Sequence, residues 1–215
     1  MGLRLVMDYK SKIAAEVEAL PESLLPELLN YVQTLKPKAA SAKLKLGLKP
    51  KSQTAKSNSA SSNTIVIYTD GACTGNPGKG GYGAVIIDGD RRKELSSGYK
   101  LTTNNRMEMM GAIAALESLK SNSQVKLHSD SKYIVDAVNK GWAKKWQANG
   151  WRRNKKEMAK NPDLWQELLD LSKIHDVEFI WVKGHAGVAE NERCDRLAVD
   201  AAHGSNLLVD EGYTG

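Results

Sequence analysis

From residue 64 onward, short β-branched runs alternate with longer stretches whose apolar positions recur at helical spacing. Thr64–Thr69 (TIVIYT) predicts a buried strand that ends at Asp70. Tyr82–Ile87 and Lys93–Lys100 predict two further strands joined through Asp88-Gly89. The Gly- and Pro-rich stretch 71–81 reads as the turn between the first two. Asn105–Leu119 predicts a helix, and Gln124–His128 a fourth strand ending near Asp130. A second helix begins at Tyr133–Val138, and a third runs over Asp163–Ile174 behind Pro162. Val177–Val182 predicts a fifth strand and Glu190–Ala202 the last helix. A three-strand meander followed by alternating helix and strand predicts an α/β fold: a mixed five-stranded sheet flanked by helices.

The first 63 residues follow another pattern. Ile13, Val17, Leu20 and Leu24, then Leu25, Leu28, Val32 and Leu35, repeat at helical spacing around Pro21 and Pro26. Residues 1–35 therefore read as a small α-helical appendage. So short a pair buries little, so it is expected to self-associate, to dock on a protein partner or elsewhere, or to be only partly ordered. Residues 36–63 are rich in Lys, Ser and Ala, carry seven lysines and no acid, and read as a flexible linker. The expected division is thus 1–35, the linker 36–63, a catalytic domain 64–204 and a C-terminal tail 205–215.

Composition narrows the classes. At 215 residues the chain can build a core without staples. No apolar stretch reaches the roughly 18 residues of a membrane span, the N-terminus lacks a secretory h-region, and Val6 breaks the myristoylation pattern. Two cysteines, Cys73 and Cys194, suit a reducing compartment, and a cytoplasmic protein without a membrane partner is expected. The net charge of +6 resolves into two basic islands. One is the linker. The other, residues 140–160, holds eight basic residues against one acid and interleaves Trp142, Trp146 and Trp151. The rest of residues 64–215 is acidic.

Four acids stand out within that acidic remainder. Asp70 and Asp130 each follow a strand. If those strands are parallel neighbours, both carboxylates leave the same sheet edge. Glu108 lies in the first turn of its helix, on a face with Gly111, Ala112 and Ala115 that would let the helix approach the sheet. Asp195 lies four residues after Asn191 in the last helix. Clustered buried acids repel. Two divalent ions about 4 Å apart would offset that repulsion, and hard Mg²⁺ or Mn²⁺ suits carboxylate ligands. Each acid alone also has a plain reading: a turn residue after a strand, a helix-start acid favoured by the dipole, or, for Asp195, a surface partner of Arg193 or Arg196. The glycine run is not a phosphate-binding P-loop, because Gly78-Lys79 is followed by Gly80.

The phrases YTDGACTGNPGKGGYGAVI, TTNNRMEMMGAIAALESLK, SDSKYIVDAV, NPDLWQELL and WVKGHAGVAENERCDRLA occur in one order over residues 64–204. In this order and spacing they resemble the type 1 ribonuclease H enzymes of bacteria. The resemblance implies a ribonuclease H-like fold and an endonuclease that hydrolyses the RNA strand of RNA–DNA hybrids. It further implies two Mg²⁺ ions with substrate (Mn²⁺ as a substitute), 5′-phosphate and 3′-hydroxyl ends, and little sequence specificity. The family's metal-binding carboxylates fall on Asp70, Glu108, Asp130 and Asp195, and its loop histidine, which assists proton transfer or product release, on His185. RNA-strand recognition falls on Cys73, Asn104 and Asn105, and a DNA-phosphate pocket on Asn76 and Thr103. Glycines 75, 78, 80 and 81 are expected to let backbone approach the substrate. Residues 140–160 match a basic protrusion that holds the DNA strand, with Trp142, Lys144, Lys145, Arg152 and Arg153 toward nucleic acid and Trp146 and Trp151 packed inward. Two positions depart from the common bacterial pattern: Leu101 replaces an arginine near the DNA phosphate, and Lys132 replaces a glutamine that contacts RNA. Lys100 is a candidate for the lost charge. The catalytic domain is expected to be monomeric. Residues 1–35 lack the aromatic, glycine-rich look of the hybrid-binding domain found on some relatives. An inactive binding module and a related polynucleotidyl transferase are the other readings of this fold. All four carboxylates are present against the first, and the TDGACTGNPG and TTNNRMEM phrases speak against the second.

Overall fold

A computed structural model describes Val17, which is helical, and residues 64–120 and 122–215. The chain divides into two units, Met1–Asn58 and Ser59–Gly215. Apart from Val17, the helical segment and linker expected over 1–63 lie outside the described residues. Among the described residues no helix is long and apolar enough to cross a membrane.

In the second unit five strands form one sheet: β1 (Ile65–Gly75), β2 (Gly78–Asp88), β3 (Arg91–Thr102), β4 (Gln124–Ser129) and β5 (Asp176–Trp181). Their order is β3-β2-β1-β4-β5, with the β1–β2–β3 meander antiparallel and β1, β4 and β5 parallel. The helices are α1 (Asn104–Glu117), α2 (Lys132–Asn139), α3 (Trp142–Ala148), α4 (Pro162–Ile174) and α5 (Ala189–Ala202). The mixed sheet and the four helices predicted from residue 64 onward are present.

The register places the acids. Ile65, Ile67 and Thr69 of β1 and Val125, Leu127 and Ser129 of β4 are buried, and they pair Ile65↔Val125, Ile67↔Leu127 and Thr69↔Ser129. The β1–β4 ladder ends at that last pair, so Asp70 and Asp130 are the next residues of parallel, adjacent strands. The sheet packs on a core that includes Ile86, Met109, Leu116, Trp165, Leu168 and Phe179. Tyr133, Trp146 and Trp165 tie α2, α3 and α4 together, with ring centroids 5.7–6.3 Å apart.

Two expectations change. Residues 71–81 are not a long turn. β1 runs to Gly75 and β2 resumes at Gly78, leaving Asn76 and Pro77 between them, with Gly75 at φ +83°. The glycines serve close packing. A Cβ on Gly71 would collide with the backbone of Glu108 in α1, and one on Gly83 with the Cys194 carbonyl in α5. Glycine here marks close helix–sheet approach, which composition alone cannot tell from a turn. Residues 205–215, expected as a tail, are tied into the domain. The Leu208 N–H donates to the Gly98 carbonyl (2.8 Å) and the Lys100 N–H to the Leu208 carbonyl (2.9 Å). Asp210 is buried and accepts from Thr102 Oγ1 (2.6 Å) and from Arg106 Nε and Nη2 (2.7 and 2.8 Å).

Candidate active site

The carboxylates of Asp70, Glu108 and Asp130 converge: one oxygen from each lies within 4.8 Å of the other two. β1 supplies Asp70 and the end of β4 supplies Asp130. Glu108, expected in the first turn of its helix, stands in the second turn of α1, because the helix already begins at Asn104. The missing side chain of Gly71 lets α1 come close enough for Glu108 to join. Asp70 and Glu108 are each only 6% exposed, while Asp130 is half-buried.

Few polar partners relieve this crowding. The Gly71 N–H donates to Asp70 Oδ1 (2.7 Å) and Asn104 Nδ2 to Glu108 Oε1 (3.3 Å). Asn191 Nδ2 lies 3.4 Å from Asp130 Oδ2, a long donation. Glu108 Oε2 is buried without a partner. Among the described residues no lysine, arginine or histidine forms an ion pair with any of the three. Burial, then the charge of Asp130, pushes Asp70 up to about 7, against the Gly71 amide, with Asp195 adding to the rise. Burial, then the charges of Asp70 and Asp130, holds Glu108 well above the usual carboxylate range. Three oxygen ligands, one buried oxygen left free and no neutralising side chain together fit a hard divalent cation.

Asp195, half-buried on α5, lies outside this trio, although its charge reaches Asp70. His185 is exposed in the loop between β5 and α5, at φ +50°. Its neighbour Gly184 lies against the centre, since a Cβ there would stand 2.5 Å from Asp130 Oδ2.

The residues matched to substrate form a surface beside the cluster. Asn76 Oδ1 accepts from the backbone N–H of Asn104 (3.2 Å), so the β1–β2 turn braces the start of α1. Cys73 is half-buried, its Sγ 3.5 Å from the Thr102 carbonyl oxygen. Asn76, Thr103 and Asn105 line one cavity of about 470 Å³ together with Lys160 and Asn161, which the sequence reading did not single out. Two of the four glycines expected to admit substrate backbone do other work: Gly80 faces Thr102 and Met107, and Gly81 faces α5. Gly75 makes the turn, and Gly78 packs on the Thr74 carbonyl. Lys144, Lys145, Arg152 and Arg153 are exposed, and Trp142, 40% exposed, carries the Lys140 ammonium 5.0 Å from its ring centroid. Trp146 is buried and Trp151 half-buried against the core. Leu101 is exposed. Lys132 is exposed, its Nζ 5.8 Å from the ring centroid of Trp181, a residue the sequence reading also passed over. Asn191 drew notice only through its spacing from Asp195, and its contact with Asp130 depends on tertiary structure.

Known proteins resemble this chain over the same region. The family model described as RNase H matches residues 62–203. A ribonuclease H of Rippkaea orientalis is 65% identical over 149 residues, which cover 69% of this chain and 91% of the relative. A ribonuclease HI of Synechocystis is 66% identical over 152 residues, covering 70% and 95%. Among solved structures, LC9-RNase H1, a type 1 RNase H with the type 2 active-site motif, aligns with a TM-score of 0.61 at 34% identity, covering 71% of this chain and 79% of that one. LC11-RNase H1 in complex with an RNA/DNA hybrid aligns with a TM-score of 0.51 at 25% identity, covering 65% and 97%.

Proposed function

The chain belongs to the ribonuclease H family and hydrolyses the RNA strand of RNA–DNA hybrids, and we propose that it does so at Asp70, Glu108, Asp130 and Asp195 with Mg²⁺. The observation that carries this assignment is the convergence of three carboxylates within 4.8 Å, two of them buried and none paired with a cation. Two Mg²⁺ ions, or Mn²⁺ in their place, would supply the charge that favours attack by water on the phosphodiester and departure of the 3′ oxygen. The products carry 5′-phosphate and 3′-hydroxyl ends.

The chain's own groups do the rest. Asp70 and Glu108 are held by the Gly71 amide and the Asn104 side chain, so their oxygens are set before substrate arrives. His185, on an exposed loop whose Gly184 abuts Asp130, is suited to carry protons between the centre and solvent near neutral pH. Cys73, Asn104 and Asn105 read the RNA strand across its shallow minor groove, where 2′-hydroxyls mark it as RNA. Asn76 and Thr103 take a DNA-strand phosphate in the cavity they share. The exposed Trp142, Lys144, Lys145, Arg152 and Arg153 hold the DNA strand farther out, and such phosphate contacts carry little sequence preference. Lys132 contacts the RNA strand.

Cleavage of a labelled hybrid in Mg²⁺ by wild type and by Asp70→Asn tests the assignment. Wild type cuts only the RNA strand, and Asp70→Asn loses roughly 10²–10³-fold or more in kcat. Equal cleavage by the two proteins would remove Asp70 from the site.

A further inference from the structure

Of the three clustered carboxylates, Asp130 is the least enclosed, so packing alone does not fix it. It sits one residue beyond the last β4–β5 pair, Ser129↔Trp181. The backbone ladder's last bond here runs from the Val182 N–H to the Ser129 carbonyl (3.1 Å). Beyond it, the indole Nε1–H of Trp181 donates to the Asp130 carbonyl (3.1 Å). A side chain thus adds one more rung, at the catalytic residue itself. Trp181 belongs to an edge strand and is 48% exposed, so core packing does not account for it. The same ring carries the ammonium of Lys132, two residues after Asp130.

We propose that Trp181 is a positioning residue for hybrid cleavage: its indole N–H fixes the main chain of Asp130, and its ring face presents the Lys132 ammonium to an RNA-strand phosphate. The ring's negative face attracts the cation and limits the rotamers of a long side chain, so less freedom is lost when a phosphate binds. One aromatic residue thereby links the substrate-facing lysine to the carboxylate centre. This rests on the functional reading above, which places Asp130 among the metal-holding acids and Lys132 on the RNA strand.

Three variants separate the two roles. Trp181→Phe keeps a ring beneath Lys132 and removes the N–H, which lowers kcat about three- to tenfold with little change in KM. Lys132→Gln raises KM and lowers the slope of log Kd against log[salt] by about one. Trp181→Ala does both, and combining it with Lys132→Gln adds little further to KM. A readout independent of turnover is the rise in Tm on adding Mg²⁺, which is smaller in Trp181→Phe than in wild type. Wild-type protein that cleaves no hybrid overturns the functional reading and this inference with it. Wild type that cleaves, with Trp181→Phe matching it in kcat and in the Mg²⁺-induced Tm rise, overturns this inference alone. So does a Trp181→Phe defect confined to KM.

Discussion

Asp70 links the proposed centre to stability. Its folded pKa of about 7 lies far above the ordinary 3.8. Between those values the folded protein keeps a proton that the unfolded chain has lost, so this group's contribution to stability falls as pH rises from about 4 to about 7. Glu108 is raised too and acts in the same direction. His128 and His175 are both depressed by burial and act oppositely near pH 6, so the total curve mixes signs. The difference between wild type and Asp70→Asn isolates the carboxylate. In EDTA the variant is the more stable protein at pH 7.5, by roughly 3–8 °C in Tm, and the gap closes toward pH 4.5. Mg²⁺ at pH 7.5 raises the Tm of wild type more than that of the variant, because the cation takes the place of the proton. Thermal melts at both pH values, with and without metal, check this; a gap that does not change with pH would show that Asp70 is not crowded. The positions of the acids at strand ends and a helix start were legible in the sequence. Their crowding was not, because it depends on the β1–β4 register and on how near Gly71 lets α1 approach. Asn191, Trp181 and Asn161 were hidden for the same reason: nothing local distinguishes them from ordinary strand, helix and loop residues.

The elements themselves were legible wherever hydrophobic periodicity was strong, and they failed to be where glycine had two meanings. A run such as GACTGNPGKGGYG satisfies a turn template as well as it satisfies two strands pressed against helices, and only the helices opposite, α1 and α5, decide between them. The last eleven residues pose the converse problem. They are short and only weakly periodic, yet Asp210 reaches Arg106, two residues before Glu108 on α1. Arg106 is buried and also pairs with Asp163 of α4 (2.7 Å), so one guanidinium joins the C-terminal segment, α1 and α4. Surface ion pairs contribute little. Removing Asp210 leaves the buried Arg106 with only the half-exposed Asp163 to offset its charge, a loss of up to about 3–5 kcal/mol. Asp210→Ala therefore lowers Tm by roughly 6–15 °C. Arg193→Ala, which cuts a half-buried pair with Glu94 that water still reaches, lowers it less. Denaturant and thermal unfolding of both variants test the contrast, and equal small losses would mean that the Arg106 cluster is no more than a surface network.

At the scale of the whole chain, the net charge of +6 conceals opposed regions. The carboxylate centre needs cations beside it, and the hybrid needs a cationic surface beyond it, so one domain carries both signs. The exposed lysines and arginines of 140–160 are the proposed surface within the described unit. The seven lysines of 36–63 add a comparable charge on a segment that the family match does not cover, apart from its last two residues. Phosphate neutralisation releases counterions, and the salt slope counts the contacts at about 0.9 for each phosphate on duplex DNA. If the linker lysines touch the hybrid, deleting residues 1–63 weakens binding at low salt and flattens the slope by about 3–6. Lys144→Ala with Lys145→Ala flattens it by a further one to two in either background. Turnover at saturating hybrid stays near that of the full chain, because every acid assigned to the centre lies within residues 64–215. Fluorescence anisotropy in EDTA from about 50 to 300 mM salt measures the slopes without cleavage. An unchanged slope after the deletion would assign all the electrostatic attraction to the catalytic unit and leave the linker lysines no role in holding substrate.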